Sequence, residues 1–84
     1  MERGNCDWPR YERRFLRGAA ACEAATFDYD QIEAAQVYCE MLGDLCSGVT
    51  CQGAQCIPRM GRELEESPND EVTWLKLCGP GHGG

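Results

Sequence analysis

Seven cysteines in a chain of 84 residues are the feature that most constrains how this sequence folds. A domain of this size has one small hydrophobic core, and the apolar area it buries roughly cancels the conformational entropy lost on folding. Domains in this size range therefore usually carry covalent or metal crosslinks. Cysteine at this density is typical of secreted and lumenal domains. We therefore predict a disulfide-stapled domain in an extracellular or other oxidising compartment, such as the secretory pathway or an organelle lumen.

A zinc site is the main alternative use for the cysteines. Structural zinc sites are usually built on Cys-x-x-Cys pairs, and this sequence has none. The only histidine, His82, lies in a glycine-rich C-terminal segment. The acidic cluster from 63 to 71 lacks the alternating ligand spacing and central glycine of a calcium loop. We therefore expect disulfides, with no metal and no other cofactor.

The distribution of charge limits the classes of partner. The net charge is −6, which argues against nucleic-acid binding because neutralising phosphates requires a basic surface. Residues 1–18 carry five arginines against three acids, whereas the rest of the chain has three basic residues against eleven acids. No apolar run approaches the length of a membrane span, so we also predict no membrane-spanning segment.

Residues 1–18 are predicted to form an N-terminal amphipathic docking segment with a short helix. Asp7 suits an N-cap, Pro9 suits the first turn and Gly18 suits the end. At helical spacing the aromatic residues share one side and the arginines the opposite side. The aromatic stripe either docks on the rest of the domain, leaving the arginines in solvent, or engages a partner or an anionic surface. The candidate partner-binding residues are Trp8, Tyr11, Phe15, Arg10, Arg14 and Arg17.

Asp30 is predicted to cap the start of the main helix, and Gly43 is predicted to end it. Asp30 and Glu33 have the spacing of a capping box, and Gly43 supplies a left-handed stop. Apolar residues cover most of the circumference of this helix, so it must be clasped by other structure rather than laid on a surface. Since no other long helix is available, we expect the clasp to be a sheet.

Strand signals follow the helix. Residues 46–51 and 54–57 are short runs joined across Gln52-Gly53, which predicts a hairpin. Pro68 and Asn69 suggest a turn, and residues 71–78 are the best strand because they are rich in branched and aromatic side chains. We predict an α+β fold: a small disulfide-rich domain in residues 19–78 with one main helix clasped by a short antiparallel sheet, followed by a flexible tail in residues 79–84.

Catalysis is not expected. The sequence has no phosphate-binding glycine loop and no serine nucleophile motif, and His82 has no ordered surroundings in which to act as an acid or base. A thiol-redox role would require a Cys-x-x-Cys motif, which is missing. We therefore predict a protein that is not an enzyme.

From Cys22 to Cys78, about two thirds of the chain, the sequence resembles a PAN/apple domain, a family in which one helix is held against an antiparallel sheet. The matching features are Cys22 at the start, Cys39 in the helix, Cys46-Ser-Gly-Val-Thr after it, Cys56-Ile in the next strand and Cys78 in the last strand. Where the family often has a second helical cysteine, this sequence has Gly43. The N-terminal segment lies outside the region of resemblance.

The resemblance implies a set of disulfides and a class of function. It implies an outer disulfide between Cys22 and Cys78 and a helix-to-strand disulfide between Cys39 and Cys56, leaving Cys46 with Cys51. A rival pairing joins Cys51 with Cys56 across the hairpin. Cys6 is left unpaired or intermolecular.

PAN/apple domains bind proteins or carbohydrates in adhesive or secreted proteins, which implies a non-enzymatic binding module with a protein or glycan ligand. The alternative is a structural subunit of a larger assembly that docks through residues 1–18 and is crosslinked through Cys6.

Overall fold

The computed structural model describes residues 6–18, 26–61 and 63–78, which form one main helix and nine short strands. The strands are β1 (Cys6–Asp7), β2 (Arg10–Glu12), β3 (Arg14–Leu16), β4 (Phe27–Asp28), β5 (Gly48–Gln52), β6 (Gln55–Arg59), β7 (Leu64–Glu66), β8 (Val72–Leu75) and β9 (Leu77–Cys78). Helix α1 (Ile32–Met41) lies between two 3-10 turns, Tyr29–Gln31 and Gly43–Leu45.

The strands form three antiparallel sheets. The largest has five strands in the order β2-β8-β5-β6-β4, so β5 is central and pairs with both β6 and β8. Two smaller sheets pair β3 with β7 and β1 with β9. With one main helix and three disulfides, the predicted α+β disulfide-rich fold class is confirmed.

Helix α1 lies on one face of the five-stranded sheet. Ala35 and Cys39 of the helix are buried in one cluster with Val49, Cys51 and Cys56 of the sheet. On the far side of the helix, Met41 is 77% exposed. The helix is therefore held against the sheet through a single face.

The ends of the helical region differ in how well they were predicted. Gly43 has φ 62°, the left-handed conformation predicted for the helix stop. The predicted N-cap is wrong by two residues: the helical region begins at Tyr29 with Asp28 as its N-cap, so Asp30 lies inside the first turn. The Asp28 N–H donates to the Gln31 side chain at 3.2 Å, which fixes the chain direction before the turn.

Strand β3 covers the other face of the sheet. Side chains alternate along β5, so Val49 points toward α1 while Gly48 and Thr50 point away from it. Leu16 of β3 is buried against this second face. A side chain at Gly48 would place its Cβ 2.7 Å from Leu16 Cδ1 and 2.7 Å from the Trp74 carbonyl oxygen, which explains the glycine there.

Two buried threonines tie β3 to the sheet by hydrogen bonds. The Thr73 hydroxyl donates to the Arg14 carbonyl at 2.8 Å, so at the 2.9 Å contact between the two hydroxyls it is Thr50 that donates to Thr73. The Leu16 N–H donates to Thr50 Oγ1 at 3.1 Å. Every member of this chain of hydrogen bonds has a partner, as buried polar groups require.

The predicted N-terminal helix is wrong: residues 6–18 form strands β1, β2 and β3. Trp8 precedes a proline, which disfavours helical backbone at that position. Arg13 has φ 59° and turns the chain between β2 and β3. An isolated helix of this length is also marginal, so strand pairing with β9, β8 and β7 prevails over the local amphipathic pattern.

The disulfide pairings implied by the resemblance are wrong for each described cysteine. The bonds join Cys6 to Cys78, Cys39 to Cys46 and Cys51 to Cys56. Cys6, which was predicted to be unpaired or intermolecular, lies directly opposite Cys78 in the β1–β9 pair. Cys22 and the tail of residues 79–84 lie outside the described residues.

Local geometry accounts for the other two disulfides. Cys51 and Cys56 are direct cross-strand partners in the β5–β6 hairpin, so the rival pairing is the one formed. Cys39 lies in the last turns of α1, and the Gly43–Leu45 turn brings Cys46 back to it seven residues later. Cys39 is therefore bonded to Cys46 across this short turn, and Cys56 of β6 is bonded to Cys51 instead.

Candidate functional site

A groove of about 550 Å³ opens on the β3 side of the five-stranded sheet. Three segments contribute to it: β3 and the residues that follow it, the end of β6, and the turn before β8. We call it the Arg59 groove and define it by Phe15, Arg17, Arg59, Pro68, Asn69 and Glu71. Two of these, Phe15 and Arg17, are among the six residues predicted to bind a partner.

Backbone hydrogen bonds fix the position of Arg59 at the end of β6. The Ser47 N–H donates to the Arg59 carbonyl at 2.7 Å. Just beyond it, the Met60 N–H donates to the Gly18 carbonyl at 3.1 Å, and the Gly61 N–H to the Arg17 carbonyl at 2.8 Å. The segment after β3 is thus held beside the segment after β6. These contacts bring Arg59 and Arg17 to the same groove.

Gly61 is required for this close approach. A Cβ at that position would lie 2.4 Å from the Arg17 carbonyl oxygen and 2.8 Å from the Arg17 nitrogen, closer than real Cβ atoms come to other backbone atoms. Only glycine lets the two backbones run this close together. The wall of the groove formed by Arg17 and Gly18 therefore depends on Gly61, which does not itself line the groove.

Arg59 carries a buried side-chain nitrogen that no described residue satisfies. Its Nε is buried and has no hydrogen-bond partner among the described residues. None of the three ion pairs in the described residues involves Arg59. Arginine nitrogens are donors only, and buried polar groups in folded proteins are almost always paired. Arg59 is therefore a cation in the groove with no ion-pair partner among residues 6–18, 26–61 and 63–78.

The opposite wall is a turn held by its own hydrogen bonds. The Ser67 hydroxyl donates to Glu71 Oε1 at 2.6 Å, and the Asn69 N–H donates to Ser67 Oγ at 3.1 Å. Asp70, with φ 58°, completes the turn. The predicted turn at Pro68 and Asn69 is thus confirmed. Glu71, whose carboxylate accepts the hydrogen bond from Ser67, also lines the groove.

The basic N-terminal segment and the acidic segment face each other. Strand β7, which was not predicted, pairs with β3 and sets Arg14 opposite Glu66. Arg17 Nε lies 2.8 Å from a Glu65 oxygen, and Arg13 Nε lies 3.8 Å from an Asp70 oxygen. The opposite net charges of the two segments are therefore brought together within the domain.

The remaining predicted partner-binding residues lie away from the groove. Arg10 donates to Glu12 at 2.7 Å, which raises the pKa of the Arg10 guanidinium. The same guanidinium carbon lies 5.8 Å from the centre of the Trp74 ring, within the range of a cation–π contact. Trp8 Nε1 donates to Glu40 at 3.2 Å, and Tyr11 is 37% exposed on β2. Arg14, on β3, does not line the groove either, and partner binding stays a prediction for all six residues.

A second cleft, of about 420 Å³, lies beside the Cys6–Cys78 disulfide. Lys76 contributes to it and donates to the Gly43 carbonyl at 2.6 Å and the Cys39 carbonyl at 3.4 Å. Desolvation lowers the pKa of the Lys76 ammonium, although Asp44 and Glu40 oppose this. Lys76 thus satisfies carbonyls at the end of α1, which is a structural role.

Other kinds of site find no support in the described part of the chain. Within residues 6–18, 26–61 and 63–78, no cluster of three or more histidine, cysteine, aspartate or glutamate side chains is arranged to hold a metal ion. The one α-helix found there is too short to cross a membrane. Comparison with protein-family models, curated proteins and solved structures gave no match.

Proposed function

We propose that this protein is a non-enzymatic binding module that recognises a protein or carbohydrate in an extracellular or lumenal setting. The observation that carries the proposal is the Arg59 groove. It combines the apolar side chains of Phe15 and Pro68 with a cation whose buried Nε has no acceptor in the described part of the chain. Binding sites in proteins typically have such apolar walls with a few polar groups that orient the ligand.

The setting is inferred from the crosslinks. Three disulfides among 84 residues are typical of domains that fold and persist where thiols are oxidised. Secreted and lumenal domains of this size more often act through a surface than through catalysis. The PAN/apple resemblance agrees with this proposal, because that family contains binding modules, although the pairings differ from those that the resemblance implied.

A disulfide and a chain of hydrogen bonds hold the walls of the groove in place, which favours a role for the groove in binding. The Cys51–Cys56 disulfide staples the β5–β6 hairpin, and Arg59 is the last residue of β6. The hydrogen bonds through Thr50 and Thr73 fasten β3 to the same sheet. A ligand entering the groove pays little ordering entropy in the protein, and preorganisation of this kind raises affinity.

The proposal is tested by NMR titration of the oxidised, isotopically labelled protein. The probes are neutral, sialylated and uronate-bearing oligosaccharides, together with acidic, basic and uncharged peptides. We expect saturable shifts at Phe15, Arg17, Arg59 and Asn69 with at least one class of probe. Residues around Lys76 on the second cleft serve as the internal reference. Saturable shifts confined to that cleft, or no saturable shifts with any probe, would contradict the proposal.

The assembly alternative keeps only part of its original basis. Cys6 is bonded to Cys78, so it cannot at the same time crosslink a second chain. What remains is β2, an edge strand of the five-stranded sheet whose three residues are exposed. Its charged residues, Arg10 and Glu12, are of the kind that discourages edge-to-edge pairing. Size-exclusion chromatography of the oxidised protein tests this alternative, and a monomer would count against it.

A further inference from the structure

We infer that the Arg59 groove binds a carboxylate on an acidic peptide segment, with the Arg59 guanidinium as the principal partner of that carboxylate. This inference rests on the proposed function and names the ligand class for the same groove.

The charge state of Arg59 carries the first step. A guanidinium stays protonated at all physiological pH values, so its charge needs an acceptor or solvent. Burial of Nε removes solvent from that part of the group, and no described residue provides an acceptor. Arg59 is only half-buried and lines the groove, so a carboxylate there would pair with the accessible part of the guanidinium, whose planar donors match two carboxylate oxygens. The neighbouring Arg17 is already paired with Glu65, so Arg59 is the arginine of this groove that remains for a ligand.

The acidic residue Glu71 and the net charge of the protein limit how much negative charge the ligand can carry. Glu71 lines the same groove, and its Oε1 already accepts a hydrogen bond from Ser67. A ligand with many negative charges would be repelled by Glu71 and by the net charge of −6. A ligand with one carboxylate and nearby N–H donors would pair its carboxylate with Arg59 and donate hydrogen bonds to the Glu71 carboxylate. A peptide has these groups, since its backbone N–H groups lie within a few ångströms of an acidic side chain.

The apolar residues carry the third step. The half-buried Phe15 ring and the exposed Pro68 ring provide apolar contact area in the groove. Aliphatic side chains next to an acidic residue in a peptide would cover this area. We therefore expect the ligand to be a short acidic segment with apolar neighbours, rather than a free anion or a polyanionic glycan.

The test compares two peptides that differ in one charge: acetyl-Ala-Leu-Glu-Leu-Ala-amide and the same peptide with glutamine in place of glutamate. Affinity is measured by NMR titration of the full oxidised protein. We expect the glutamate peptide to bind at least about 10-fold more tightly, a typical effect of one charge-assisted hydrogen-bonded pair. In Arg59→Gln this preference should disappear. In Arg59→Lys, which keeps the charge without the planar donors, it should be reduced.

The matched control is Arg13→Gln. It removes one positive charge near the groove, from an exposed arginine that does not line it. The preference for glutamate should survive in this variant. Since the preference is a ratio measured within each protein, a general loss of folding weakens both peptides and does not imitate the expected result. Urea unfolding and the NMR spectrum of each variant report its fold directly.

Several outcomes separate this inference from the proposed function. If both peptides shift the groove residues equally, or if Arg59→Gln keeps the preference, the carboxylate assignment is wrong while the groove remains a binding site. If a glucuronate-bearing oligosaccharide binds through Arg59 and the glutamate peptide does not bind, the peptide assignment is wrong and the proposed function stands. If no probe shifts the groove residues, both are wrong.

Discussion

Replacing Cys6 and Cys78 together with serine should lower the free energy of unfolding by about 4 kcal/mol. The disulfide closes a loop of 72 residues. In the loop-entropy model a crosslink of this span removes enough freedom from the unfolded chain to stabilise the fold by about 4.4 kcal/mol at 25 °C. A domain of this size has roughly 5–15 kcal/mol in total, so this one bond accounts for a large share of stability.

For this disulfide the predicted loss of stability comes almost entirely from the entropy of the unfolded chain, which is not so for the other two. Cys78 is exposed and Cys6 is only half-buried, so serine at both positions leaves little cavity behind. The other disulfides are buried and span only seven and five residues, which gives an entropy term of about 2 kcal/mol each. Their removal would mix that term with lost packing.

The assay is urea unfolding followed by tryptophan fluorescence and by far-UV circular dichroism. Trp8 lies two residues from Cys6 and reports local changes, so coincident curves from the two probes are needed to show two-state unfolding. The slope with urea should also rise, because an unfolded chain without the long crosslink exposes more surface. Peptide mapping confirms that the two remaining disulfides are intact.

A loss below about 2 kcal/mol, with the other two disulfides intact and the urea slope unchanged, would mean that the crosslink does not restrict the unfolded chain as the loop-entropy model requires. Mapping that finds Cys78 bonded to a cysteine other than Cys6 in the wild type would remove the premise altogether.

Variants at three further residues test the face of the sheet that β3 covers and the end of α1. Thr50→Val deprives the buried Leu16 N–H of its acceptor and should cost about 1–3 kcal/mol in urea unfolding, whereas Thr50→Ser should retain most of the stability. Gly48→Ala places a methyl group against Leu16 and the backbone of β8, so it should lower the free energy of unfolding by about 1–3 kcal/mol. A thermal midpoint equal to that of the wild type would contradict the packing described for β3. The pKa of Lys76 is lowered on folding, so the unfolded chain binds that proton more tightly and stability rises with pH up to the ordinary value of 10.5. Relative to Lys76→Met, the wild type should therefore become more stable as the pH rises toward 10.5, and a flat difference would count against the lowered pKa.

Features encoded by neighbouring residues were predicted well from the sequence. The helix stop at Gly43 and the hairpin around Gly53 depend on backbone conformations that glycine adopts readily, and both glycines have positive φ. The last strand was also predicted, although Lys76 divides it into β8 and β9. In each case the decisive interaction lies within a few residues along the chain.

Features that depend on distant residues were predicted poorly. The pattern of residues 6–18 fits a helix, but three strands far along the chain offer β1, β2 and β3 partners that a lone helix lacks. Strand β7 reads as a polar loop because two of its three residues are glutamates, and the strand that pairs with it, β3, lies far away along the chain. Pairing of seven cysteines is likewise undetermined by spacing alone, since several connectivities satisfy the same sequence.

The candidate site was partly accessible from the sequence. The acidic segment and the aromatic–arginine segment were both singled out, and the structure brings Phe15 and Arg17 together with the turn at Pro68. Arg59 was missed. Cys56 and Pro58 are buried on one face of the sheet, and alternation along β6 places the Arg59 side chain on the other face. That this other face forms a groove depends on strand β3, whose position the sequence does not predict.

The pairing of the first and last described strands has a mechanical consequence. The Cα atoms of Cys6 and Cys78 lie 3.8 Å apart and are joined covalently, so the chain enters and leaves the domain at one point. Tension applied to the two ends passes through the sulfur–sulfur bond and does not load the hydrogen bonds of the five-stranded sheet. Under stretching, the groove keeps its shape until that bond is reduced.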